Sequence, residues 1–203
     1  MEDYKDNRFL ELFNTQKTNQ FKIGSTTYKE RVKKLNALKI ALETTYKEAI
    51  RKAMYDDFKK PKLEVDLTEI YPVLSEIKFI KKHLKSWMKL QKVDTPLALL
   101  GASSYIKYEP KGICLIISPW NFPINLTFSP LVSAIAAGNT VIIKPSEQTL
   151  NISKVMAMII KDLFREDEIA LVEGDVEVSQ ELLKLPFNHI FFTGSPNVGK
   201  IVM

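Results

Sequence analysis

The sequence predicts an α/β protein in which a helical N-terminal region precedes an incomplete parallel sheet with flanking helices. Three observations carry that expectation. From Gly112 onward, short apolar runs alternate with helix-like segments. The runs at Ile113–Ser118 and Thr140–Lys144 are apolar almost throughout, as in strands buried on both faces of a parallel sheet. Between about Tyr28 and Leu84 the apolar residues instead recur at helical spacing.

Taken in order, residues 1–25 read as irregular, with Phe9, Leu10, Leu12, Phe13 and Phe21 as candidate anchors. Thr27 is followed three residues later by Glu30, the spacing of a capping box. One helix is expected from about Tyr28 to Phe58, stopping near Pro61, with Val32, Leu35, Leu38, Ile40, Leu42, Ala49, Ile50 and Met54 as its apolar stripe. Asp66 is the expected cap of a second helix whose Ile70, Val73, Leu74, Ile77, Ile80 and Leu84 face a core. Pro72 suits its first turn or a slight kink. Residues 95–111 are broken by Pro96, Gly101 and Pro110 around an extended Ser103–Tyr108 stretch, read as a hairpin arm or a sheet edge. Beyond Gly112 the expected strands are Ile113–Ser118, Thr140–Lys144, Ile169–Glu173 and His189–Thr193. The expected helices are Ile124–Ala137, Leu150–Phe164 and Val178–Lys184, with a last one opening near Val198. The chain thus divides into 1–94, helical; 95–111, extended; and 112–203, α/β.

Composition narrows the function. No apolar run reaches the ~18 residues of a membrane span. The polar, acidic start Met1-Glu-Asp-Tyr-Lys-Asp6 is unlike a secretory signal. One cysteine cannot close an internal disulfide, which fits a reducing, cytoplasmic setting. Residues 1–100 hold 21 Lys/Arg against 14 Asp/Glu, and the remainder 8 against 10, giving the net charge of +5. The basic clusters Arg31-Val-Lys33-Lys34 and Lys81-Lys82-His83-Leu-Lys85 alternate with apolar residues at helical spacing. They read as solvated helix faces, not as a nucleic-acid surface. No Cys/His spacing points to a metal.

Open parallel sheets keep their ligands at the carboxyl ends of their strands. Those ends are polar here in four successive strands: Ser118-Pro-Trp-Asn121, Lys144-Pro-Ser-Glu147, Gly174-Asp175, and Thr193-Gly194-Ser195-Pro-Asn-Val-Gly199. The Asn121 amide can donate to an oxygen gaining negative charge. Lys144 is a fixed cation, and Glu147 an acceptor for two hydroxyls such as those of a ribose. The helix start after Gly194 offers free N–H groups to a phosphate. Gly194–Ile201 nearly matches a P-loop, but Ile201 stands where a Mg²⁺-binding hydroxyl is required and Pro196 lacks an N–H, which disfavours a nucleoside triphosphatase. Cys114 lies inside an apolar strand and reads as a small core residue. His83 and His189 have no Ser or Cys partner by sequence.

The runs Glu109-Pro-Lys-Gly-Ile-Cys-Leu-Ile-Ile-Ser-Pro-Trp-Asn-Phe-Pro123, Ala136-Ala-Gly-Asn-Thr-Val-Ile-Ile-Lys-Pro-Ser-Glu147 and His189-Ile-Phe-Phe-Thr-Gly-Ser195, with Val198-Gly199, resemble the aldehyde dehydrogenase superfamily. The likeness is greatest to its short class 3 branch of fatty and coniferyl aldehyde dehydrogenases, which Phe13-Asn-Thr-Gln16 also fits. It covers essentially the whole chain. The resemblance implies a dinucleotide-binding domain of that family's type, NAD or NADP as cofactor, and oxidation of an aldehyde to a carboxylic acid. It implies that Asn121 belongs to the oxyanion hole. It assigns Ile117, Ser118, Pro119 and Trp120 to the turn lining the cofactor, Lys144 and Glu147 to the adenosine ribose, and Gly194, Ser195, Val198 and Gly199 to the turn beside the phosphates. Ser118 replaces a glycine common in the branch, which could narrow the turn.

The family's mechanism also needs a cysteine nucleophile and a glutamate base in a Glu-Leu-Gly-Gly segment. Neither is in this sequence, and Cys114 matches a core position. The expectation is therefore the N-terminal, cofactor-binding portion of such an enzyme, inactive alone. The alternatives are a non-catalytic dinucleotide-binding or interaction module, or half of a split enzyme completed by a C-terminal chain. Residues 95–111 would be the oligomerisation hairpin through which family members dimerise.

Overall fold

The sheet and its helices take the order that the apolar runs require. The computed structural model describes residues 7–203, so the polar Met1–Asp6 start lies outside the described residues. In chain order the elements are α1 (Leu10–Gly24), α2 (Tyr28–Ile40), α3 (Lys47–Phe58), α4 (Lys62–Val65), α5 (Tyr71–Trp87), β1 (Gln91–Val93), β2 (Ser104–Ile106), β3 (Ile113–Ile117), α6 (Pro123–Ala137), β4 (Thr140–Lys144), α7 (Leu150–Leu163), β5 (Ile169–Leu171), α8 (Val176–Leu183), β6 (His189–Phe192) and α9 (Pro196–Val202). Strands β3 to β6 form one parallel sheet in the order β5-β4-β3-β6. The α/β expectation holds, with the elements after Gly112 within two residues of the sequence-based bounds. The Ser103–Tyr108 stretch is a hairpin arm, β2, pairing antiparallel with β1.

Strand side chains alternate between the two faces of a sheet. Cys114, Ile116, Val141 and Ile143 point into a core shared with α6 and α7, with α2, α3 and α5 behind them. Ile113, Leu115 and Ile142 point the other way, against Phe13 of α1 and against Val178, Leu182 and Leu185. Each core isoleucine or leucine buried this way is worth about 1.5–3 kcal/mol. The edge strand β6 is less protected: Ile190 and Phe192 are half-buried, and His189 and Phe191 exposed.

Four expectations need correction. Residues 10–24 are not irregular but form α1. The polar Gln16 is buried there and donates from Nε2 to the carbonyls of Val141 and Glu166, both at 3.0 Å. Its apolar anchors are few, and Phe21 is exposed, so the sequence carries no clear stripe. Second, the helix from Tyr28 is broken by a π-turn at Ala41–Thr45, where Tyr46 N–H donates to the Ala41 carbonyl at 2.8 Å. The extra residue shifts the stripe by one position. Leu35, Leu38 and Leu42 therefore share a core with Ile50, Ala53 and Met54, while Ile40 is exposed.

Third, Asp66 does not cap a helix. It lies in a second π-turn, Asp66–Ile70, that joins α4 to α5, and it accepts from Arg51 Nε at 2.9 Å. The Arg51 hydrogen bond holds its carboxyl below the ordinary range. Fourth, Arg31 is not on a solvated face. It is buried and donates to the carbonyls of Ala136 (2.7 Å) and Gly24 (2.8 Å), closing the carboxyl end of α6. Gly138 ends that helix at φ 83°, a backbone conformation that favours glycine, and a Cβ there would displace the Arg31 guanidinium, 2.5 Å away. The capping box stands as expected: Thr27 Oγ1 accepts from Glu30 N–H, and the Glu30 carboxylate accepts from Thr27 N–H at 2.7 Å.

Candidate functional site

Because the four strands are parallel, their carboxyl ends share one edge of the sheet. The register sets Ile117 beside Lys144 on one side and beside Phe192 on the other. Ser118 N–H donates to the Lys144 carbonyl (3.1 Å), and Thr193 N–H to that of Ile117 (3.2 Å). The polar groups that follow β3, β4 and β6 thus start from adjacent backbone positions.

The chain leaves β3 through Ser118–Phe122 and enters α6 at Pro123, where a missing N–H costs nothing. Ser118 is buried, and its hydroxyl accepts from Thr127 Oγ1 at 2.7 Å. Its extra atoms over glycine are thus taken up inside the fold. Pro119 is half-buried. Trp120 is half-exposed and stacks on Phe58 at 6.3 Å between ring centroids, 21° apart. Asn121 is exposed; its Oδ1 accepts from Phe122 N–H at 3.1 Å. That contact identifies the acceptor end of the amide and leaves its NH₂ without a partner among the described residues.

At the end of β4, Lys144 is not a surface cation. It is 2% exposed, and its ammonium donates to the Pro145 carbonyl (2.9 Å) and to Glu147 Oε2 (3.1 Å). Glu147 is exposed. Burial pushes its carboxyl up, but its own backbone N–H and the Lys144 ammonium outweigh that and hold it below the ordinary carboxylate range. It is a fixed anion at neutral pH. At the end of β5, Asp175 caps α8, accepting from Glu177 N–H at 3.0 Å.

After β6, Ser195 is the N-cap of α9, its Oγ accepting from Val198 N–H at 3.3 Å. A Cβ on Gly194 would lie 2.3 Å from the Phe192 ring, so this glycine makes room for an aromatic ring of its own chain. Gly199 has no such constraint, its nearest contact being 3.5 Å away. Cys114 is 4% exposed, and burial pushes its thiol up to about 11. A thiol in that state is not a nucleophile at neutral pH.

Two residues at this edge escaped the sequence reading. Glu69, fully buried in the π-turn before α5, accepts from Ile124 N–H and Asn125 N–H, both 3.1 Å, at the start of α6. Its other oxygen accepts from Lys60 Nζ at 2.8 Å, and the same ammonium donates to the Asn121 carbonyl at 2.9 Å. Burial raises the Glu69 carboxyl, opposed by Lys60 and by the two N–H groups. A signal existed: Glu69 stands four residues from both Val65 and Val73, a lone carboxylate on a core stripe. Lys60 offered none.

A model of the aldehyde dehydrogenase family matches residues 7–203. The chain is 48% identical over 191 residues to 4,4'-diaponeurosporen-aldehyde dehydrogenase of Staphylococcus aureus, covering 94% of this chain and 40% of that protein. It is 41% identical over 196 residues to the mouse aldehyde dehydrogenase family 3 member B3, covering 97% and 39%. The solved substrate-bound state of Staphylococcus aureus AldH superposes with a TM-score of 0.91 at 44% identity, over 97% of this chain and 43% of that one. The chain thus spans about two-fifths of the length of these proteins.

Proposed function

The chain belongs to the aldehyde dehydrogenase family, and from that membership we propose that its strand-end edge is the cofactor-binding and oxyanion-binding part of a site that oxidises aldehydes to carboxylic acids. The observation that carries this is the meeting of Asn121, the Lys144–Glu147 pair and the Ser195-capped turn at one edge of a parallel sheet, in a chain of this family.

The residues present suit NAD or NADP. Glu147 is an ionised, exposed carboxylate able to accept from both hydroxyls of a ribose, and the buried Lys144 keeps it charged and oriented. Gly194, Ser195, Val198 and Gly199 would border the phosphates, and Ile117 to Trp120 would line the turn against the cofactor. Bound there, NAD or NADP would supply the hydride acceptor for the oxidation. The unpartnered NH₂ of Asn121 would donate to the former carbonyl oxygen as negative charge gathers there, worth about 3 kcal/mol of transition-state stabilisation. Cys114 is not proposed as the attacking thiolate, since burial pushes its thiol up to about 11. These 203 residues alone are proposed to bind the dinucleotide without turning over aldehyde.

The exposed β1–β2 segment, with Leu97, Leu99, Leu100 and Tyr105 open to solvent, is proposed as the oligomerisation hairpin. The half-covered β6 edge favours a further polypeptide segment beside it, from the same or a complementary chain. Among the described residues no helix is long and apolar enough to cross a membrane. With its single buried thiol, the chain is proposed to work in the cytoplasm.

Calorimetric titration of the 203-residue chain with NAD and with NADP tests the cofactor reading, and absence of heat at millimolar concentrations of both overturns it. Formation of reduced nicotinamide from NAD and an aldehyde by this chain alone would overturn the need for an outside nucleophile.

A further inference from the structure

We propose that Lys60 and Glu69 are positioning residues for Asn121, clamping the Asn121–Asn125 backbone against the helical layer so that the side-chain amide of Asn121 is held in one place. The significance of that aim rests on Asn121 being the oxyanion donor; the clamp itself does not.

Glu69 satisfies two N–H groups at the start of α6, where the first turn has no intrahelical partners. That alone would be a helix cap. The chain of contacts runs further, through Lys60 to the carbonyl of Asn121 itself. The Lys60 ammonium is walled by aromatic rings, with Phe122 at 4.5 Å and Phe58 at 5.2 Å from their centroids, and Phe58 stacks on Trp120. Asn125 Nδ2 also donates to the Thr68 carbonyl at 3.3 Å. The backbone is thus gripped at residue 121 and again at 124 and 125. A dipole stabilises developing charge only when it is fixed in advance. A fully buried carboxylate bound to a cation is a costly way to cap a helix. The arrangement is better matched to fixing a turn in one conformation.

The test uses the 203-residue chain and its Lys60→Met, Lys60→Arg and Glu69→Gln variants, followed by hydrogen–deuterium exchange and by the NMR signal of the Asn121 side-chain NH₂, assigned through its loss in Asn121→Asp. In Lys60→Met, the amides of Phe122, Ile124, Asn125 and Leu126 should exchange about tenfold faster while β4 stays protected, and the Asn121 NH₂ pair should broaden or shift. Lys60→Arg, which keeps the charge and several donors for the carboxylate and carbonyl, should restore most of the protection. Unchanged turn exchange in Lys60→Met overturns the proposal. So does an equal rise in the turn and in β4, which would mark the pair as merely structural. Should Glu69→Gln fail to fold, the two Lys60 variants still decide. A chain that binds neither NAD nor NADP, yet shows the turn-specific Lys60 effect, would remove the cofactor reading and leave the clamp standing.

Discussion

The turns that follow β3 and β6 have similar sequence signatures, a polar Pro-containing segment between an apolar strand and a helix, but very different support. The β3 turn leaves a central strand, buries the Ser118–Thr127 hydroxyl pair, and is held by Glu69 and Lys60 from the helical layer. The β6 turn leaves an edge strand and enters a helix with no buried residue, Ser195 supplying a 3.3 Å cap. The difference teaches that a turn motif fixes local backbone shape, while the layers packed against it set how rigidly it is held. The first turn is held from a second layer, and the second by its own cap.

The largest test of that contrast is Glu69→Ala. It orphans two N–H groups and strips the largely buried Lys60 of its carboxylate, leaving it only the Asn121 carbonyl, and should cost about 3–5 kcal/mol in urea unfolding; a loss below 1 kcal/mol would remove the contrast. Thr127→Val leaves the Ser118 hydroxyl unpaired in the core and should cost about 1–3 kcal/mol by the same measurement. Acid dependence sharpens the comparison further. Glu69 has a raised carboxyl in the folded state, so its contribution is fully present below its unfolded value of about 4.3 and is lost as pH rises through the raised folded value. The stability gap between the unaltered chain and Glu69→Gln should therefore shrink from acid to neutral pH; a gap that widens would contradict the burial of this group.

Ser195→Ala should be the mildest change. It removes an exposed cap worth about 1 kcal/mol or less, felt as faster amide exchange in α9 with almost no shift in the global midpoint. Cys114 supplies a check on the strand beneath the first turn: it should resist thiol reagents near pH 8 in the native chain and react promptly in urea. Prompt native labelling would mean that β3 opens readily in the native chain.

The β3 and β4 cores were legible because strands buried on both faces are written as uninterrupted apolar runs. Asn121, Glu147 and Ser195 were legible as strand-end polar groups, since a parallel sheet gathers those ends by topology. Helix α1 was not, because its anchors are Phe13 and a buried Gln16 that finds partners 125 and 150 residues away in sequence. The two π-turns were misread as continuous helix and as a cap, because one inserted residue changes the phase of a stripe without changing its composition. Lys144 was legible as a fixed cation at a strand end, but not its burial, nor that its ammonium is taken up by the Pro145 carbonyl and Glu147.

By itself the sequence determined the α/β class, the strands, the sheet edge where polar groups collect and, through its motifs, the family. These follow from local periodicity and from residues adjacent in the chain. Only the tertiary structure decided which polar groups are exposed, which are internally paired, and that Lys60 and Glu69 reach across from the helical layer to grip the Asn121 turn. The physical reason is that a buried ion pair is stabilised by partners distant in sequence, and no local pattern records a contact closed over 55 or 61 residues.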